Sequence, residues 1–366
     1  MIPIAQPYIS EDEIQSVIKV LKSGKISQGK IVKEFEESFS DYIGCGHAIA
    51  CVNGTAALHA SLVAADVGVG DEVIVPSFSF ISTATTVNMC GATPVFADVD
   101  PLTYTIDPVQ VYDLITENTR AIVGVHLFGS PFYSQPLMSL CKDHDLVLIE
   151  DAAQAVGAKE YHRMCGTIGE MGCFSFYATK NVTTAEGGMI TTNDDEYAEK
   201  VRKIINHGQS EKYKHTMIGY NYRMTDVLAA IGINQMNRVE DIILKRENIA
   251  KKYTNGINFG DMAEPPIERE KCRHVYHQYT IRCRDGTTRS DVMKFLHNKG
   301  VETAIHYPTP IHKQPVYMDM CDISRDVDQC PISTSISETI MSIPVHPLLT
   351  REEVTYIIDS LNGVFR

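Results

Sequence analysis

The strongest constraint in this sequence is a repeated alternation. Short β-rich apolar runs (HAIACV at 47–52, EVIVP at 72–76, PVFADV from 94, AIVGVHLF at 121–128 and LVLIED at 146–151) are separated by segments with helical spacing. Runs this apolar along their whole length belong to strands buried on both faces, so the pattern predicts a mostly parallel sheet covered by helices. Ahead of it, Ser10 and Glu13 form a capping box, Ile14, Val17, Ile18 and Leu21 recur at helical spacing, and Gly24 stops that helix. A second helix carries Val32, Phe35, Phe39 and Tyr42. From Met224 to about Tyr253 the pattern predicts one long connecting helix. Beyond it, HVYHQYTIRC (274–283) and VETAIHY (301–307) alternate like strands, VMKFLHNKG predicts a helix closed by Gly300, and TREEVTYIIDSLNGVF a last amphipathic helix. A chain of 366 residues exceeds what one core usually serves. The expected organisation is therefore α/β, with a large, mostly parallel domain over 1–240 and a smaller α+β domain over 241–366.

Composition narrows the function classes. A net charge of −13 argues against a broad nucleic-acid footprint or an anionic membrane surface. The ten cysteines (Cys45, Cys51, Cys90, Cys141, Cys165, Cys173, Cys272, Cys283, Cys321 and Cys330) form no C-x-x-C pair, which fits a reducing cytoplasm. The N-terminal MIPIAQPYISEDE lacks a basic leader with an apolar core, and no 18-residue apolar run occurs, so neither signal peptide nor membrane span is expected. His207, His215, His306, His312 and His346 show no metal-binding spacing, and no G-x-G-x-x-G follows the first strand.

Ligands of an open parallel sheet bind beyond the carboxyl ends of its strands, so the residues after each apolar run come first. Asn53-Gly54-Thr55 ends a strand and opens a helix, where free N–H groups and the positive helix terminus form a phosphate site; a plain N-cap is the other reading. Phe80, after EVIVP, offers an aromatic face for a flat ligand, or else packs in a core. Asp151 and Gln154 follow LVLIED, and an aspartate at the end of a buried strand asks for a cation or several donors. The stretch CFSFYATKNVTTAEGGMI (173–190) supplies the hydroxyl of Ser175 and the amine of Lys180, which the pattern places at a strand end. A phosphate cradle, an aromatic face, an acid for a ring nitrogen and an amine for a carbonyl are together what pyridoxal phosphate needs.

With those residues in view, the chain resembles the sugar-nucleotide aminotransferases of the DegT/DnrJ/StrS type. The resemblance is carried by GKISQG (24–29), NGTAALH (53–59), GDEVIVPSFSF (70–80), VHLFG (125–129), IEDAAQAVGA (149–158), FSFYATKNVTTAEGG (174–188), NHG (206–208), GYNYRMTD (219–226), IHYP (305–308) and PVHPLLT (344–350). It implies the aspartate-aminotransferase type of pyridoxal-phosphate fold, working as a homodimer with active sites at the subunit interface. Lys180 would hold the cofactor aldehyde and shuttle the proton, Asp151 would pair with the pyridine nitrogen, and Gln154 would lie beside the ring. Gly54, Thr55 and Ser175 would hold the phosphate, Phe80 would stack, Asn221 would reach the phosphate from the other subunit, and His306 and Tyr307 would border the substrate. Two residues depart from the family pattern: Ala185 stands where TTGEGG has glycine, and Lys25 replaces the usual tryptophan after Gly24. The resemblance implies transfer of an amino group from L-glutamate to a nucleotide-linked keto sugar, in amino-sugar and surface-polysaccharide synthesis. The N-terminal MIPIAQPYISEDEI with GKISQG looks more like the branch that aminates C4 of 4-keto-6-deoxy sugars than the C3 branch. A non-catalytic regulatory protein on the same fold is the alternative of another class. The dehydratase branch carries histidine where Lys180 stands.

Overall fold

The computed structural model describes residues 1–320 and 328–365. Cys321 lies outside the described residues, and the other nine cysteines are unpaired thiols. Seven strands form the central sheet: β1 (His47–Cys51), β2 (Glu72–Pro76), β3 (Thr93–Ala97), β4 (Thr119–Val125), β5 (Val147–Asp151), β6 (Met171–Ser175) and β7 (Gly188–Thr192). Their order is β1-β7-β6-β5-β4-β2-β3, and only β7 runs against the others. Both faces are buried, with the strand period of two visible in the packing. Ile49, Val73, Val123 and Ile149 meet Leu58 and Leu62 of α3 (Gly54–Ala64) on one side. Ile74, Ile122 and Leu148 turn the other way, as do Ala48, Ala50 and Phe174, which pack with Phe35 and Phe39.

The two opening helices form as expected. Helix α1 (Glu11–Ser23) starts at the Ser10/Glu13 capping box and ends at Gly24, whose φ of 72° suits a glycine. Helix α2 (Lys30–Ile43) buries Val32, Phe35 and Phe39. After β2 comes α4 (Ser82–Met89), after β4 comes α5 (Ser134–His144), and after β7 comes α6 (Asp195–Ile204). The expected single helix over 224–253 is two, α7 (Asp226–Met236) and α8 (Val239–Gly256). Arg238 sits at the break and sends its guanidinium to Tyr8 O at 2.8 Å and to the Glu13 carboxylate, with the rest of the group over the Tyr8 ring. Helix α8 serves two cores, with Val239 and Ile243 in one and Ile249, Ala250 and Tyr253 in the other.

The C-terminal part contains β8 (Tyr279–Cys283) and β9 (Ile340–Ile343), paired antiparallel, with α9 (Gly286–Asn298), α10 (Pro331–Thr339) and α11 (Arg351–Val364). Two strand expectations fail here. Residues 274–278 are a loop, because their backbone groups are taken elsewhere: Val275 N donates to Gly129 O, Gln278 N to Phe128 O, and Val275 O accepts from Asn181. Residues 301–307 make only single bridges, Val301 with Ile2 and Ala304 with Ser342. Among the described residues no helix is long and apolar enough to cross a membrane.

Candidate active site

A cavity of about 560 Å³ opens at the carboxyl ends of β1, β2, β4, β5 and β6. It is lined by Gly54, Thr55, Phe80, Asp151, Gln154, Ser175, Lys180, His306 and Tyr307. Asn221 is not among the lining residues; it is exposed, and its Oδ1 accepts from Arg223 at 2.9 Å. Lys25 is exposed beside the C-cap of α1 and does not line the cavity either.

The first wall is the start of α3. Asn53 caps it, with Oδ1 accepting from Ala56 N at 2.8 Å and its carbonyl from Ala57 N, which leaves the N–H groups of Gly54 and Thr55 at the open end of the helix. A Cβ on Gly54 would stand 2.8 Å from the Ser175 Cβ, so glycine is what lets the helix terminus approach the end of β6. Two free N–H groups, a helix terminus and the Ser175 hydroxyl form a cradle suited to a phosphate.

Asp151, the last residue of β5, is buried and accepts from Ala153 N at 3.2 Å and from the Thr83 hydroxyl at 3.1 Å. Burial pushes its pKa up, against the pull of Ala153 N–H, the Lys180 amine, Thr83 and His126. A cation beside the carboxylate would reverse that shift, and a pyridinium nitrogen is such a cation. Below it, His126 pairs through Nε2 with Glu150 at 2.8 Å while its Nδ1 accepts from Phe132 N, which fixes the orientation of the ring. Glu150 is held in turn by the N–H groups of Gly166, Ile168 and Gly169.

Lys180 lies in the turn between β6 and β7, five positions past the strand end where the sequence pattern placed it, with its N–H donating to Tyr177 O. Desolvation brings its pKa down to about 8, opposed by the negative charge of Asp151. At a pKa of about 8 roughly a tenth of the amine is free at pH 7, hundreds of times more than for an ordinary lysine, which makes it a usable nucleophile and base. The same turn holds Ala185 at φ 69°, its N–H donating to Thr183 Oγ1 at 3.0 Å.

Phe80 is half exposed on the cavity wall, its ring centroid 5.9 Å from that of Tyr307, whereas Phe78 is buried. Gln154 is fixed at both ends of its amide: Oε1 accepts from Phe128 N at 2.7 Å and Nε2 donates to the Tyr307 hydroxyl at 3.2 Å. His306 is hydrogen-bonded through Nδ1 to Ser342 Oγ at 3.1 Å, and burial with the nearby Lys180 charge lowers its pKa to about 4. Burial, then the Asp151 charge, raises that of Tyr307. Sequence reasoning missed Thr83, His277 and Gln278 as cavity or Asp151 neighbours, and gave Glu186 no role although it lines the cavity. The HVYHQ stretch carried the signal for His277 and Gln278, but it read as part of a strand. The donor set fits pyridoxal phosphate: a cradle for the phosphate, an acid for the ring nitrogen, an aromatic face and a low-pKa amine.

The chain is similar to known proteins along nearly its whole length. The model of the DegT/DnrJ/EryC1/StrS aminotransferase family matches residues 7–362. The GDP-perosamine synthase of Caulobacter vibrioides is 39% identical over 99% of this chain and 98% of its own. The UDP-2-acetamido-2-deoxy-3-oxo-D-glucuronate aminotransferase of Pseudomonas aeruginosa is 35% identical over 96% of each. The crystal structure of DesV from S. venezuelae, solved in complex with a ketimine intermediate, superposes with a TM-score of 0.92 at 32% identity, over 97% of this chain and 95% of that one.

Proposed function

The chain belongs to the DegT/DnrJ/EryC1/StrS aminotransferase family, and from that premise we propose that it moves an amino group from L-glutamate to a keto sugar carried on a nucleotide. It is a pyridoxal-phosphate-dependent enzyme, as that family is. The observation that carries the reading is the convergence of Lys180, Asp151 and the Gly54/Thr55 helix terminus on one cavity.

When bound, the cofactor supplies an aldehyde that exchanges amino groups and a ring that takes up electron density. Gly54 N–H, Thr55 and Ser175 would bind its phosphate, Phe80 would cover its ring, and Asp151 would keep the proton on its ring nitrogen. Gln154, pinned by Phe128 N–H and Tyr307, would steady the ring's edge. The Lys180 Nζ would hold the cofactor aldehyde at rest and, when free, would act as the base that moves the proton of the substrate carbon. One cavity serves both substrates in turn, which is a ping-pong order.

We take the acceptor to be a 4-keto-6-deoxy sugar, as the N-terminal MIPIAQPYISEDEI suggests by its form. Amination at C3 is the second reading, favoured by the 3-oxo substrate in the name of the P. aeruginosa relative. The proposed setting is a cytoplasmic homodimer engaged in amino-sugar and polysaccharide synthesis. The exposed Asn221, near the exposed Tyr213 of the hairpin formed by 209–211 and 214–215 and near the exposed Ile218, supports a site completed by a second copy. A panel of nucleotide-linked 3-keto and 4-keto sugars, each incubated with glutamate, tests this: amination of a 4-keto sugar alone is expected, and turnover of only 3-keto sugars would move the assignment to C3.

A further inference from the structure

Helix α3, whose start is the proposed phosphate cradle, carries a buried imidazole about one turn further on. His59 is 1% exposed and pairs through Nδ1 with the Tyr222 hydroxyl at 3.2 Å. Its ring lies at 62° to that of Tyr220 and at 66° to that of Tyr222, with centroids 4.8 and 5.9 Å away. The two tyrosines stack on each other at 5.0 Å. Edge-to-face and stacked contacts of this kind set the angles between rings as well as burying them.

The tyrosines belong to a short segment, 220–223, whose backbone is bonded along its length. Tyr220 N and Tyr222 N donate to Ile204 O and Ile205 O at the end of α6, Tyr220 O accepts from His207 N, and Tyr222 O accepts from Val52 N just after β1. Asn221 and Arg223 make single bridges with Asn206 and Cys51. Successive side chains of such a strand-like segment point to opposite faces. Tyr220 and Tyr222 accordingly turn onto His59, while Asn221 stays exposed and its Oδ1 accepts from Arg223 at 2.9 Å. Arg223 also donates to Asn206 Oδ1 at 2.6 Å. The backbone bonds fix the course of the segment, and the ring cluster fixes its roll about that course.

We propose that His59 is a positioning residue for Asn221: by seating Tyr220 and Tyr222 it sets the face on which Asn221 is presented to the cofactor phosphate held by a second copy. One helix then serves two sites, its own through the Gly54 and Thr55 N–H groups and the other copy's through His59. No proton is transferred at His59. Burial lowers its pKa and keeps the ring uncharged.

The inference rests on the reading of Asn221 given above, and the measurements separate the two. Affinity for pyridoxal phosphate, titrated by the absorption of the lysine-bound cofactor, is compared between full-length His59→Leu and a hybrid purified from differently tagged His59→Leu and Lys180→Ala chains. In the hybrid the lysine-bound site lies on the His59→Leu chain but receives Asn221 from the chain whose His59 is intact. His59→Leu alone is expected to bind the cofactor about tenfold more weakly, the scale of one lost hydrogen bond, and the hybrid to bind as tightly as wild type. Unchanged affinity in His59→Leu, a hybrid as weak as His59→Leu, or chains that form no hybrid overturns the proposal. If the leucine variant fails to fold, Tyr222→Phe, which removes only the hydroxyl, goes through the same comparison with an expected loss of about threefold, judged by the same outcomes. Failure of the underlying reading looks different: Asn221→Ala would then bind pyridoxal phosphate as tightly as wild type.

Discussion

Ala185 shows at one residue how a departure from the family pattern is absorbed. It occupies φ 69°, a conformation in which a Cβ is strained by about 1–2 kcal/mol, and the turn is kept by Thr183 and Thr184, whose hydroxyls bond to Ala185 N and Glu186 O. Ala185→Gly is therefore expected to stabilise the protein by about 1 kcal/mol in chemical denaturation without changing cofactor binding. Lys180 makes a second, pH-dependent prediction. Its folded pKa of about 8 lies below the unfolded value of about 10.4. Between those values the unfolded chain binds the extra proton, so stability of the cofactor-free protein rises with pH across that window, and the penalty is fully present below pH 8. Lys180→Met should flatten that part of the stability profile relative to wild type. Asp151 carries the opposite burden, a buried carboxylate whose pKa is raised. Asp151→Asn is expected to leave the cofactor-free fold as stable or slightly more so, while lowering turnover at least about a hundredfold through loss of the ring-nitrogen partner.

At the scale of elements, the parallel sheet was legible because its strands repeat with one period and one kind of boundary. Asn53 and the Ser10/Glu13 box marked helix starts for local reasons, and the carboxyl-end rule then led to Asp151, Ser175 and Gly54. What sequence could not give were conformations set by distant partners. The 237–238 break depends on Arg238 reaching Tyr8 and Glu13, more than 220 residues away in sequence. The 274–278 loop alternates like a strand, yet its backbone bonds go to Phe128, Gly129, Asn181 and Arg246, so His277 and Gln278 enter the cavity instead of a ladder. One long-range cap carries a prediction of its own. Asp98, after β3, accepts from Ile332 N, Ser333 N and the Ser333 hydroxyl at the start of α10, at 2.6–2.8 Å. Asp98→Ala removes that cap and should cost about 1–2 kcal/mol in thermal or chemical unfolding.

For the whole molecule, the cavity joins two parts of the chain: strand ends supply the groups proposed to hold the cofactor, while His277, Gln278, His306 and Tyr307 close it from the C-terminal side. The proposed third contribution, Asn221 from a second copy, has a direct consequence. If each site takes Lys180 from one subunit and Asn221 from the other, randomly mixed Lys180→Ala and Asn221→Ala chains recover roughly a quarter of wild-type activity, because half the dimers are mixed and one of their two sites is intact. Sites built from one chain alone would recover none from mixed dimers. The central claim, that Lys180 carries an aminotransferase reaction, is tested most directly by adding L-glutamate, with no sugar present, to the purified protein loaded with pyridoxal phosphate. The account predicts that the visible absorption of the lysine-bound cofactor bleaches as one equivalent of 2-oxoglutarate appears per site, and that Lys180→Ala does neither. Unchanged absorption with no 2-oxoglutarate, or full conversion by the Lys180→Ala variant, would contradict it.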